Sequence, residues 1–257
     1  MVITAIARVT FLESIRSRVL YLILLFAVVF VVMARVLGYL SSDEETEKMI
    51  IISGLSGMTL FGFIIAVFSG MSLIHKELEQ RTVYTILSKP VGRHEFILGK
   101  YTGLMILLTL IVLLMGTVFT GYFLFAGGTL TWGMGAFLVL LLAELSLVTS
   151  IAIFFALVAS PIFSAVATFC LFVAGNAMDT IFDRVLYLPP GHDLARKAII
   201  GLHMIIPNFY NFNITDQLAA HMQIPVLQVF LGAVYGLLFS AFFLFAAILV
   251  FNGKRLQ

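Results

Sequence analysis

Few residues in this 257-residue chain could do chemistry, and no two of them form a convincing set. Gly54-Leu55-Ser56-Gly57 puts a serine among small residues, as an intramembrane serine nucleophile would require. Such a serine needs a histidine base within hydrogen-bond reach. His75, His94, His192 and His203 lie outside the later apolar runs, and His221 reaches only the edge of the last one. The serine therefore reads as helix packing, with a Ser56 protease kept as an alternative. His203-Met204 and His221-Met222, with His192 nearby, offer imidazole and thioether of the kind copper accepts, but pairs this ordinary arise by chance and no metal site is expected. Cys170 is the single cysteine, which excludes an internal disulfide and a cysteine-based zinc or redox site. Gly99-Lys100 comes nearest to a phosphate-binding loop, but His94 stands at the first glycine position and Tyr101 where Ser or Thr would hold magnesium. No catalytic residue and no resident cofactor is expected.

Glu144 is the exception. It lies midway along an apolar run, well over ten residues from Trp132. A carboxylate at that depth in a bilayer is costly and marks a functional candidate by default. It would bind a cation or a group of the substrate, or be hydrogen-bonded to a neighbouring helix. Ser146, Thr149 and Ser150 nearby favour the packing reading.

The elements that position these residues follow from composition. The chain is 61% hydrophobic and 11% charged, with a mean hydropathy of +1.12. Soluble domains carry about 25% charged residues, so this chain has too little polar surface to cover a core in water. A soluble enzyme, a disordered chain and a nucleic-acid binder are excluded. About 20 apolar residues cross a bilayer as a helix, and six runs qualify: residues 19–40, 49–74, 96–125, 133–158, 162–178 and 224–251. None alternates with period two, which argues against a β-barrel. Eighteen residues precede the first run and no small-residue cleavage site follows its apolar part, so that helix is expected to be retained.

With the N-terminus inside, 10 of the 15 Lys and Arg residues fall on the inner side. That is the orientation the positive-inside rule selects. The fold expected is all-α: a polytopic membrane protein with six transmembrane helices and both termini inside. Residues 1–18 form an interfacial lead. Residues 179–223 form an extracytoplasmic segment, turned by Pro189-Pro190-Gly191, whose Pro207–Phe212 stretch reads as an aromatic interfacial segment. Arg35, near the outer end of the first run, reads as a side chain reaching for the interface. Gly232, Gly236 and Ser240, four apart, and Ser53 with Gly57 let helices approach closely, within one subunit or at a dimer seam.

The inner loop between the second and third runs is the richest segment. From Glu77 to Lys89 nothing breaks a helix, and Pro90 with Gly92 ends it. Val83, Tyr84, Ile86 and Leu87 fall on one face, and Arg81, Thr85 and Lys89 on the other. Such a helix fits a lipid surface or a protein groove equally well.

The loop then continues as ILSKPVGRHEFILGK, after acidic residues and Thr82, and this run resembles the signature of type 2 ATP-binding cassette (ABC-2) exporter permeases. The leading TFLESIRSRVLYLILLF is similar to the same family's entry into its first span, and in the inner-loop run Arg81 stands before Thr82 where many relatives carry glycine. The resemblance implies that residues 77–89 form a short cytoplasmic coupling helix between spans two and three. It would dock through Glu77, Glu79, Arg81, Val83, Tyr84 and Leu87 into a separate ATP-hydrolysing subunit. It further implies a homodimer or paired permease in the bacterial or archaeal inner membrane, with ATP and Mg held by the partner ATPase. The remaining alternative is a non-transporting membrane anchor or sensor whose inner loop binds a regulator.

Overall fold

The computed structural model describes residues 2–15, 19–40, 43–79, 92–186, 201 and 206–253. Every regular element among them is helical. In hydrocarbon an unpaired N–H or C=O costs several kcal/mol, and a helix satisfies its backbone within the segment. The elements are α1 (Val2–Ile15), α2 (Val19–Leu40), α3 (Asp43–Glu79), α4 (Arg93–Phe125), α5 (Trp132–Val158) and α6 (Pro161–Leu186). A 3₁₀ turn (Phe209–Phe212), a short α7 (Thr215–Ala219) and α8 (Val226–Gly253) complete the chain.

Five helical stretches are long and apolar enough to cross a membrane: Thr46–His75, Arg93–Phe125, Trp132–Val158, Pro161–Met178 and Val226–Gly253. Within α2, Leu25–Val36 adds a shorter apolar stretch. The protein is thus a multi-pass, all-helical membrane protein. Two helices outrun the expected runs. α3 has 37 residues, about 55 Å at 1.5 Å per residue, against a hydrocarbon core of about 30 Å. It begins at Asp43, inside the acidic stretch 41–48. α6 runs on past Met178 to Leu186, into the expected extracytoplasmic segment.

α5 is the axis of the bundle. α4, α3, α6, the 3₁₀ turn and α8 all pack on it. Small residues set the spacing. A Cβ on Gly62 would sit 3.0 Å from Leu145, one on Gly70 3.1 Å from Ala152, and one on Gly236 3.0 Å from the Ala143 carbonyl oxygen. The Gly232, Gly236 and Ser240 stripe is therefore an intramolecular seam with α5. α2 packs at the flank, where Phe26 and Phe30 stack 5.9 Å apart and Phe30 meets Phe119 at 5.6 Å. α1 lies along the start of α4, with Ile6 over Gly99 and with Ala7 and Thr10 over Gly103.

These contacts define two ends. One carries α1, the start of α4 and the end of α8; the other carries the starts of α3 and α5, the end of α4, and α7. They are called below the Arg93 end and the Trp132 end.

The expected aromatic interfacial segment proves to be something else. Phe209 and Phe212 are 1% exposed and belong to the core. A Cβ on Gly236 would sit 3.0 Å from the Phe212 ring, and Gly236 is ten residues, about 15 Å, into α8. The turn thus enters the bundle from the Trp132 end and wedges between α6 and α8. Only Tyr210 and Asn211 of the turn remain exposed. Aromatic rings flanked by asparagines suit an interface, and they suit a buried turn equally. Glycines on α6 and α8 decide for burial: Gly175 takes the Pro207 carbonyl and Phe209, and Gly236 takes Phe212.

Candidate functional site

Glu144 stands twelve residues from Trp132 and fourteen from Val158, about 18 and 21 Å along α5. It is 6% exposed. Its helical neighbours fix where it points. Ala143 packs on Gly236 of α8, and Leu145 packs on Gly62 of α3. At 100° per residue Glu144 lies between those faces. Phe212 sits over the same Gly236 position as Ala143. The carboxylate therefore lies at the depth of the turn's innermost ring.

The other polar residues of α5 are satisfied elsewhere. Thr149 donates to the Leu145 carbonyl and Ser150 to that of Leu147, each at 2.7 Å. Ser146 lies nearly opposite Glu144 and joins a chain of hydroxyls across three helices. Ser240 donates to the Gly236 carbonyl at 2.7 Å, so it accepts from Ser146 at 2.8 Å, which in turn accepts from Tyr101 at 2.6 Å. This chain ties α4, α5 and α8 with every proton used. No such bond reaches Glu144 among the described residues.

The turn is held by its own side chains. Asn208 accepts from the Tyr210 N–H at 2.9 Å, and Asn213 from the Thr215 N–H at 3.1 Å. The Asn208 N–H donates to the Tyr235 hydroxyl of α8 at 2.8 Å. Irregular backbone at membrane depth survives only when shielded and bonded in this way.

At the Arg93 end the start of α4 is fastened down. Glu95 accepts from the Gly92 N–H at 2.9 Å, which closes the first turn of α4. Arg93 Nη1 donates to the carbonyls of Phe251 and Asn252, both at 3.0 Å, and its guanidinium lies 5.7 Å from the Phe251 ring. Phe96 stacks on Phe251 at 5.8 Å. The positive guanidinium thus caps the carbonyl end of α8, where a cation is favoured. Whatever displaces the start of α4 also displaces the end of α8.

A sequence match to the ABC-2 family transporter proteins extends over residues 4–252. The chain belongs to the ABC-2 family. It is a multi-pass membrane permease of an ABC transporter, and in that family the transmembrane component is not itself the catalyst. No individual curated protein matches the chain in sequence.

Of the residues expected to dock an ATPase on this ABC-2 permease, two lie among the described residues. Glu77 and Glu79 occupy the last turn of α3. Arg81, Val83, Tyr84 and Leu87 lie outside the described residues, as do Pro189-Pro190-Gly191, His192 and His203-Met204. Ser56 is exposed, with no hydrogen bond to a histidine among the described residues. His221 and Met222 are exposed at the Trp132 end, and His221 joins Glu47, Thr129 and Thr131 around a small cavity there. Arg35 is exposed, as a side chain reaching for the interface would be. Sequence reasoning missed the Arg93 clamp and the Tyr101–Ser146–Ser240 chain. Arg93 carried a usable signal, a cation directly after the Pro90–Gly92 break. The hydroxyl chain had none, because its members lie on three different helices.

Proposed function

We propose that this ABC-2 permease works as an exporter with six spans and both termini in the cytoplasm of a bacterial or archaeal cell. It would pair with a second permease, a copy of itself or a homologue, and with a cytoplasmic ATPase that holds ATP and magnesium. The family match over residues 4–252 carries this reading. The amphipathic stretch 77–89 is the docking element: apolar Val83, Tyr84 and Leu87 supply affinity, and Glu77, Glu79 and Arg81 set register. Closure of the ATPase pushes that stretch, and the Arg93 contact passes the displacement to the end of α8. The helices then rock as rigid bodies, opening a path on which Glu144 lies. This chain hydrolyses no ATP itself.

The test is a mild-detergent pull-down of the tagged protein with and without Val83→Asp plus Leu87→Asp. An ATPase that co-purifies with the unmodified protein and is lost from the double variant is the expected result. A folded permease that brings down no ATPase in either sample overturns the reading and favours an anchor or sensor.

A further inference from the structure

Glu144 is more than nine-tenths buried at mid-depth of α5, and no hydrogen bond or ion pair satisfies it among the described residues. A carboxyl group in such surroundings is stabilised by a proton or by a cation brought alongside. The protein does not bring one from its described part. Lys100 sits at the Arg93 end with its ammonium 5.8 Å from the Phe96 ring, Arg93 caps α8, and Lys48 and Arg35 are exposed on α3 and α2.

A second observation points the same way. Phe63, Phe172, Phe209, Phe212, Tyr235 and Phe239 form one unbroken chain of rings, with successive centroids 4.3, 5.1, 6.2, 6.1 and 4.6 Å apart. It runs from α3 through α6 and the turn to α8, past the Gly236 and Ala143 contact next to Glu144. Aromatic faces attract cations, most of all weakly hydrated organic ones, and repel anions. One carboxyl group at the depth of a chain of rings, with no basic group at that depth among the described residues, suits an apolar cation. An anionic lipid or a neutral sugar would gain nothing from it.

We propose that Glu144 and the aromatic chain select a substrate bearing a single organic cation on an apolar body, a lipophilic amine or onium. This rests on reading the chain as a transport permease with Glu144 on its path.

The experiment uses the full-length protein in native membranes, labelled with dicyclohexylcarbodiimide, which reacts with carboxyl groups in apolar surroundings. The adduct on the peptide containing Glu144 is quantified by mass spectrometry. Tetraphenylphosphonium and tetraphenylborate serve as probes of the same size and opposite charge. Labelling of Glu144, reduced at least tenfold by the phosphonium and unchanged by the borate, is expected. Equal effects of the two ions, no protection, or no labelling each overturns the proposal. Equilibrium dialysis of the purified protein gives a second reading. Glu144→Gln weakens phosphonium binding at least tenfold and leaves borate binding alone, and Phe212→Leu weakens it by less. Equal binding to the unmodified protein and Glu144→Gln overturns the proposal as well. Both readings are independent of any ATPase, so charge-selective protection with an empty pull-down fails the exporter reading alone. An ATPase that co-purifies while Glu144 shows no charge selectivity fails this proposal alone.

Discussion

α5 and α8 are nearly equal in length and equally apolar, yet they have opposite surroundings. Of the most apolar stretch of α5, 78% is buried inside the protein; of that of α8, 28% is. Hydrophobicity does not separate them, since lipid tails are as apolar as leucine and there is no gain in hiding one from the other. Polar groups separate them. α5 carries Glu144, Ser146, Thr149 and Ser150 within seven residues, all buried. Within the apolar stretch of α8, Tyr235 and Ser240 reach back toward the turn and α5. Leu237, Leu238, Phe242 and Phe245 face outward. In a bilayer the inside of a bundle is marked by what lipid cannot satisfy.

That comparison can be broken at several points. The largest effect is expected from Gly236→Phe, which drives a ring into Ala143 and Phe212. Overpacking of this kind costs about 3 kcal/mol, and a denaturant titration in mixed micelles would read it as a large fall in midpoint. A midpoint equal to the original would mean that α8 does not rest on α5 at this glycine. Arg93→Ala comes next. It removes two charge-assisted hydrogen bonds from the end of α8, worth about 2 kcal/mol, and Arg93→Lys restores part of it. If Arg93 transmits force, the alanine variant also uncouples transport from ATP hydrolysis in vesicles while the ATPase still co-purifies.

Smaller effects sharpen the same contrast. Ser146→Ala interrupts the hydroxyl chain and should cost about 0.6 kcal/mol, the average for a hydrogen bond between membrane helices. A loss above about 2 kcal/mol would show that the chain acts as one cooperative unit. Leu238→Ala on the outward face of α8 should change stability by less than about 0.5 kcal/mol. A clear loss of stability there would reveal that a protein, rather than lipid, covers that face.

Much of this was legible in the chain alone. The membrane class, the approximate spans and the mid-span place of Glu144 each rest on a local property: hydropathy over about 20 residues or the cost of one charge in hydrocarbon. The family resemblance rested on a contiguous motif and is matched over residues 4–252. The boundaries of α3 were not legible, because Asp43 to Lys48 and His75 to Glu79 are mostly polar residues that both a loop and a helix end accept.

What only the tertiary structure decided is which residues meet. Pro207–Phe212 could have lain on the membrane surface; it enters the bundle because Gly175 and Gly236, on helices far from it in sequence, leave room. Ser146 could have held Glu144; it bonds Tyr101 and Ser240 instead, since the two side chains leave α5 on nearly opposite faces. Arg93 reaches the end of α8 across 158 and 159 residues of sequence. In a chain apolar on nearly every face, periodicity does not say which face looks inward. Small residues and hydrogen bonds between helices settle that, and they act only once the helices are packed.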